Sequence, residues 1–156
     1  MIEIKTRFLR VSFMENAYDV SDADVEPHPL WEYPCVALSL PKQLMDFDLT
    51  MPVPLEKVTQ STTILLQENL SSAFYLNGMA LWMEWYLDED MVISGGPTES
   101  VKIGHDIVWD VHSKQGVSFF PHISNCCFSA EKTVHSEVIF DPNEGDLRFK
   151  FVKMNK

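Results

Sequence analysis

The chain has 156 residues, of which 46% are hydrophobic, so a single domain can bury a sizeable core without disulfides. It carries 23 acidic and 12 basic residues, and its formal net charge of -11 repels phosphate backbones and anionic lipid headgroups. We therefore expect neither nucleic acid nor a membrane as a partner, and a basic peptide suits this charge better.

The chain opens with a predicted strand. Apolar residues alternate from Ile2 to Phe13, with one register shift that predicts a β-bulge near Arg7. Charged residues interrupt this stretch, so it lacks the continuous apolar core of a secretory signal. Residues 15–34 are acidic and proline-rich, yet apolar enough near their end to predict an ordered, extended arm. We expect an N-terminal strand and acidic connector over 1–25 and a β-barrel domain over 26–156.

The cysteines number three, an odd count, and two of them are adjacent in the chain. Cys126 and Cys127 are neighbours, which is a poor arrangement for a mutual disulfide, and Cys35 lies far away in sequence. This pattern favours a reducing compartment. We expect an intracellular location, cytoplasmic and nuclear.

Short strand-like segments with period-two alternation follow the arm. They are Leu44–Leu49, Thr62–Gln67, Met91–Ser94, Ile107–Val111, Val117–Phe120 and Thr133–Phe140.

The segment 77–97, NGMALWMEWYLDEDMVISGGP, fits both a helix and a strand by periodicity. Flanking glycine turns and aromatic residues favour a strand. Its apolar residues at alternate positions predict one fully buried face, formed by Met79, Leu81, Met83, Trp85 and Leu87.

The end of the chain predicts a β-hairpin over 133–152. Leu147, Phe149 and Phe151 alternate with Arg148 and Lys150, and the turn formers DPNEGD precede them. Many short strands without a long amphipathic helix indicate an all-β barrel or sandwich with an extended N-terminal arm.

The motifs of common enzyme classes are absent from the sequence. GxGxxG, GxxxxGK and GxSxG do not occur, so phosphate-cradling loops and a nucleophile elbow are unsupported. No metal site is assigned. His122, Cys126 and Cys127, with His112 nearby in sequence, are of ligand type, but strand-end histidines and buried thiols are the favoured interpretation.

Two further groups of side chains have competing interpretations. The carboxylate pairs Glu84 with Asp88 and Asp46 with Asp48 could serve acid-base chemistry, but alternation favours a solvent face. Three tryptophans, Trp82, Trp85 and Trp109, could form an aromatic cage for a cation, although core packing is favoured.

Several stretches resemble the protein arginine N-methyltransferases. They are EPHPLWEYPC at 26–35, PKQLMDFDLTMPVPL at 41–55, GMALWMEWYL at 78–87, HSKQGVSFF at 112–120 and VHSEVIFDPNEGDLRFKF at 134–151. The likeness covers roughly residues 26–152. The matching part of the family is a β-barrel. It belongs to the second, degenerate module of a member that carries two modules in tandem, and it lies in the C-terminal half of that member.

The resemblance implies a fold and a context. Family members pair a Rossmann-like half, which binds S-adenosylmethionine, with a β-barrel half that helps hold arginine-rich protein substrates. This sequence lacks the family's glycine-rich cofactor loop and its double-glutamate loop. Methyl transfer requires donor and acceptor to be held in line, so the resemblance implies no cofactor site and no catalysis by this chain alone.

One motif carries over residue by residue. The stretch 111–115, VHSKQ, lies where active modules have Thr-His-Trp-Lys-Gln, so His112, Lys114 and Gln115 match while threonine and tryptophan are replaced. No catalytic residue is assigned, and His112 is the single candidate. The stretch 93–97, ISGGP, resembles a Ser-Thr-Gly-Pro turn of the family, where we expect a structural role.

Two functions follow as hypotheses. The first is the barrel portion of such a methyltransferase, contributing packing and substrate access. The alternative is a freestanding β module that binds a peptide or cation in an aromatic-lined groove.

Overall fold

The computed structural model describes residues 1–11, 25–65, 78–119 and 133–154. The strands in these ranges are β1 (Ile2–Val11), β2 (Glu26–His28), β3 (Cys35–Ala37), β4 (Lys42–Phe47), β5 (Val58–Leu65), β6 (Gly78–Tyr86), β7 (Val92–Ser94), β8 (Gln115–Phe119), β9 (Thr133–Asp141) and β10 (Asp146–Met154). A short 3-10 helix spans Leu30–Glu32. The all-β prediction is confirmed. The described ranges contain no helix with the length and hydrophobicity needed to cross a lipid bilayer.

In the described part of the chain, the larger sheet has seven strands, and β1 and β6 lie at its centre. Its order is β2-β8-β6-β1-β3, with β4 also on β1 and β7 also on β6. One edge of β1 pairs with β6, and the other edge pairs first with β4 and then with β3. The strand from the segment 1–25 therefore belongs to the same sheet as the later strands, while the domain boundary itself stays a prediction.

The predicted bulge near Arg7 is wrong in position. Opposite β6, β1 pairs without interruption through Arg7. The register shift lies instead between β1 and β4, where Ile4 pairs with Met45 and Lys5 with Gln43. Leu44 is the extra residue, and it is buried together with Met45, so the bulge lets two consecutive apolar side chains of β4 reach the interior.

The smaller sheet contains three described strands, in the order β10-β9-β5. The predicted hairpin is confirmed as β9 and β10, which pair along their whole length. Gly145, in the turn, has a φ of 65°, a conformation that L side chains rarely adopt. The alternating aromatic residues of β10, Phe149 and Phe151, pack against the core between the sheets.

That core lies between the two sheets, and a second core covers the other face of the larger sheet. The first consists of Leu38, Leu44, Met45, Ile64, Met79, Leu81, Val134 and Val138. The second consists of Leu30, Cys35, Ala37, Ala80, Trp82, Ile107, Trp109 and Val117. Leu30 comes from the proline-rich arm, whose described part is ordered as expected.

The segment around β6 is a strand, as predicted, but its burial differs from the prediction. Its first half is buried on both faces, because Met79 faces one core and Ala80 the other. The expected buried face ends after Leu81, since Met83 and Trp85 are 46% and 37% exposed. The smaller sheet covers only part of the face to which these side chains belong.

Ile107–Val111 is not a strand, contrary to the prediction. It is a loop held by an isolated bridge between Pro97 and Trp109 and by a hydrogen bond from the Ile107 amide to the Cys35 carbonyl (2.9 Å). Ile107 and Trp109 point into the second core while Val108 is exposed. Buried and exposed side chains therefore alternate in this segment as they do in a strand, although the segment is a loop that packs on the sheet.

The other predicted strands are present with shifted ends. β4 ends at Phe47 because the Asp48 carboxylate accepts hydrogen bonds from the Thr50 amide (2.9 Å) and hydroxyl (2.7 Å), which turns the chain. β5 begins earlier than predicted, at Val58. Residues 66, 67 and 120, the predicted ends of two strands, lie outside the described residues.

Candidate functional site

The candidate site lies where the turn after β7 contacts Trp82 of β6. The amide of Gly95 donates to the Met83 carbonyl (3.1 Å), and the amide of Gly96 donates to the Ser94 hydroxyl (3.1 Å). A Cβ added to Gly96 would lie 2.3 Å from Trp82 Nε1, closer than real side chains approach. Gly96 thus lets the turn backbone lie directly against the indole, which supports the structural role expected for this turn.

Trp82 joins this turn to the second core and to a carboxylate. Its ring meets that of Trp109 edge to face, with centroids 5.9 Å apart. Its Nε1 donates to Glu84 Oε1 (3.2 Å), and the Tyr86 hydroxyl donates to Glu84 Oε2 (2.8 Å). Each oxygen of Glu84 therefore has a donor that holds it in one orientation.

The proposed aromatic cage is not formed by the three tryptophans together. Trp82 and Trp109 are buried and pack on each other, which is the core role that the sequence favoured. Trp85 lies on the opposite face of β6, because side chains alternate along a strand.

His112, the catalytic candidate, lies exposed in the turn that precedes β8. In this turn the Ser113 hydroxyl donates to Asp110 Oδ2 (2.5 Å), and this hydrogen bond lowers the pKa of Asp110. The turn is thus fixed by its own side chains. A catalytic role for His112 stays a prediction.

Gln115 is the residue whose role the sequence did not reveal. It is fully buried, and its Nε2 donates to the carbonyls of Gly95 (2.8 Å) and Ser113 (2.7 Å). Its Oε1 accepts from the Leu30 amide (3.3 Å). One side chain thus ties together the glycine turn, the His112 turn and the proline-rich arm. The polar residue at the start of an apolar strand was the available signal, but its partners are 20 and 85 residues away in sequence.

A shallow acidic groove opens beside the glycine turn. Its volume is about 250 Å³, and its lining consists of Pro41, Trp82, Glu84, Pro97, Glu99, Ser100 and Val101. Two carboxylates among apolar walls give the groove a negative potential that suits a cationic side chain. Glu84 is half-buried in this groove, and its two carboxylate oxygens are held by Trp82 and Tyr86.

Cys35, the cysteine within the described ranges, is buried, and its thiol is poorly reactive. Burial raises the pKa of its thiol to about 12, against a smaller lowering by the Trp109 indole N–H. Trp109 Nε1 makes no hydrogen bond of good geometry, so this sulfur contact is a weak one. The Cys35 thiol is therefore protonated at neutral pH and unsuited to nucleophilic chemistry.

The metal candidates His122, Cys126 and Cys127 lie outside the described residues. Within the parts of the chain that the structure describes, no group of three or more histidine, cysteine, aspartate or glutamate side chains could hold a metal ion.

Three known proteins that resemble this chain share one name. No family model matches the chain. Protein arginine N-methyltransferase 7 of Bos taurus is 38% identical over 130 residues, and that of Xenopus laevis is 39% identical over 131 residues. The Danio rerio protein of the same name is 34% identical over 128 residues.

Each of these matches covers 82% of this chain. The chain spans only 18% of the length of these relatives. By sequence, the chain belongs to the protein arginine N-methyltransferase 7 family and corresponds to one part of its members.

Proposed function

We propose that this chain forms the C-terminal β-barrel portion of an S-adenosylmethionine-dependent protein arginine N-methyltransferase. In this role it packs against a Rossmann-like half and helps to hold substrate, and it does not catalyse methyl transfer alone. Its similarity to less than a fifth of each relative's length supports a part rather than a whole enzyme. We place it in the cytoplasm and nucleus, in keeping with its odd number of cysteines.

An exposed apolar sheet surface carries this proposal. Five side chains on one face of β6, β7 and the turn between them are between 37% and 57% exposed, and we call them the uncovered face: Met83, Trp85, Leu87, Met91 and Ile93. Soluble proteins that act alone rarely expose a contiguous apolar patch of this kind. A portion of a larger enzyme has a neighbour to cover it, so the uncovered face favours this reading over a freestanding module.

The groove does not fit S-adenosylmethionine. Its volume of about 250 Å³ is smaller than the roughly 300–1,000 Å³ of pockets that bury ligands of that size. We propose that the partner half binds the cofactor, as the family resemblance implies.

The acidic groove supplies the substrate-holding part of the proposal. Glu84 is oriented by two hydrogen bonds, and Glu99, which also lines the groove, is exposed. Carboxylates of this kind attract an arginine-rich segment at long range and speed its arrival. The chain's net charge of -11 adds to the same field.

Methyl transfer by the purified chain is the direct test. The 156-residue chain is incubated with labelled S-adenosylmethionine and an arginine-rich peptide, with the bovine relative as the positive control. We expect label in the peptide only with the bovine protein. Transfer by this chain alone would overturn the proposal, and loss of that transfer in His112→Ala would establish His112 as catalytic.

A further inference from the structure

The uncovered face continues the face that forms the core between the two sheets. Strand pairing aligns Phe47, Ile2, Trp85 and Ile93 in one row across β4, β1, β6 and β7. At one end of this row, Phe47 meets Phe140 of the smaller sheet, with ring centroids 5.0 Å apart. At the other end, Trp85 and Ile93 are exposed. The row therefore extends beyond the edge of the smaller sheet.

The five side chains of the uncovered face have the same apolar character. Met83, Trp85, Leu87, Met91 and Ile93 are large and uncharged in a chain where 22% of residues are charged. The Leu87 amide donates to the Met91 carbonyl (3.0 Å), so the strand-like pairing extends beyond β6 and keeps these side chains on one surface. Their arrangement is fixed before any partner arrives, which lowers the entropy cost of docking.

The border of the uncovered face is acidic. The turn between Leu87 and Met91 is Asp88-Glu89-Asp90, and the Asp88 carboxylate holds it by accepting from the amides of Asp90 (2.9 Å) and Met91 (2.8 Å). A second copy of the chain would bring an equal acidic turn and another charge of -11 to the contact. Like charges at an interface oppose association, so a partner with basic groups around an apolar centre is the complementary one.

We infer that the uncovered face is the surface on which the rest of a protein arginine N-methyltransferase 7 polypeptide docks, through an apolar patch with a basic rim. This inference rests on the proposed function and names the surface that performs its packing role. The relatives supply the partner, since about four fifths of their length lies outside the match, which covers 18%.

Co-expression tests the inference. The tagged 156-residue chain is expressed with the bovine relative from which the matched 130 residues have been removed, and the co-purified bovine polypeptide is quantified. Trp85→Glu and Ile93→Glu should each lower its yield about tenfold or more, because each buries an unpaired charge at the contact. Val152→Glu is the matched control, since Val152 is 43% exposed and lies on β10 of the other sheet. Equal thermal unfolding midpoints show that the variants fold.

Each outcome decides one question. Loss with both β6–β7 variants and retention with Val152→Glu support the inference. Retention with every variant overturns the docking surface, and the retained bovine polypeptide then supports the proposed packing role through a different surface of the chain. Failure of the wild-type chain to retain the bovine polypeptide counts against both. Self-association of the purified chain, abolished by Trp85→Glu and without retention of the partner, assigns the surface to a second copy and overturns the inference.

Discussion

At the scale of single residues, close packing explains why a glycine stands at position 96. The Gly96 backbone lies on the Trp82 indole, and any Cβ there would overlap the ring. Gly95, its neighbour, has looser surroundings, since its nearest potential contact is Ser113 Cβ at 3.4 Å. These adjacent glycines therefore offer a matched pair.

We expect Gly96→Ala to lower the free energy of unfolding by about 1–3 kcal/mol, because the turn must move off the indole. Gly95→Ala should cost clearly less. Chemical denaturation of both variants measures the difference. An equal cost at the two positions would contradict the packing argument, and a change in Trp82 fluorescence should accompany only Gly96→Ala.

Cys35 gives a pH dependence with a defined sign. The pKa of its thiol rises from 9.0 in the unfolded chain to about 12 in the fold. The folded state therefore binds the proton more tightly, and the resulting stability is complete below pH 9 and is lost as the pH rises toward 12. The loss is about 1.4 kcal/mol per pH unit in this window.

Cys35→Ala removes this titration and keeps every other one. We expect the stability difference between wild type and Cys35→Ala to shift in favour of the variant as the pH rises from 9 to 11. Denaturation series at several pH values measure it. Parallel pH profiles for the two proteins would show that the Cys35 thiol ionises normally.

At the scale of the strand, β6 changes its surroundings along its length. Met79, Leu81 and Met83 lie on the same face, yet Met79 is fully buried and Met83 is 46% exposed. Met79→Ala should cost about 2–5 kcal/mol of stability through the lost contacts and the cavity. Met83→Ala should stay within about 0.5 kcal/mol of wild type. Similar losses in denaturation experiments would mean that one sheet covers the whole strand face.

The sequence predicted the strands well where local signals were complete. The β9–β10 hairpin has strict alternation and a turn containing Gly145, and both features act between near neighbours. The burial change after Leu81 was not predictable, because it depends on where the smaller sheet ends. The segment Ile107–Val111 was wrongly predicted to be a strand for a related reason. Ile107 and Trp109 anchor this loop in the second core, so its apolar residues occupy alternate positions as in a strand.

At the scale of the whole molecule, the candidate site depends on contacts that sequence spacing hides. The arm, the glycine turn and the His112 turn come together through Gln115, which bonds partners up to 85 residues away. The family resemblance indicated that the turn at 93–97 and the stretch 111–115 matter. It could not indicate that a groove with Glu84 and Glu99 lies beside them.

If the chain binds a basic peptide as proposed, its net charge of -11 and this groove should make separable contributions to that binding. Raising ionic strength from about 0.01 M to about 0.15 M shortens the Debye length from about 30 Å to about 8 Å, so affinity for an arginine-rich peptide should fall about tenfold or more. A peptide with glutamine in place of arginine should bind weakly at both salt concentrations. Fluorescence anisotropy measures both peptides.

Two substitutions then separate the local from the global effect, because each removes one negative charge. Glu99→Gln acts at the groove, whereas Asp146→Asn acts on the hairpin beside Arg148, with which Asp146 forms an ion pair (2.9 Å). If the groove holds the arginine, Glu99→Gln weakens binding about threefold more than Asp146→Asn at physiological salt, where only nearby charges act. Equal effects would mean that the peptide responds to net charge alone and that the groove has no part in holding substrate.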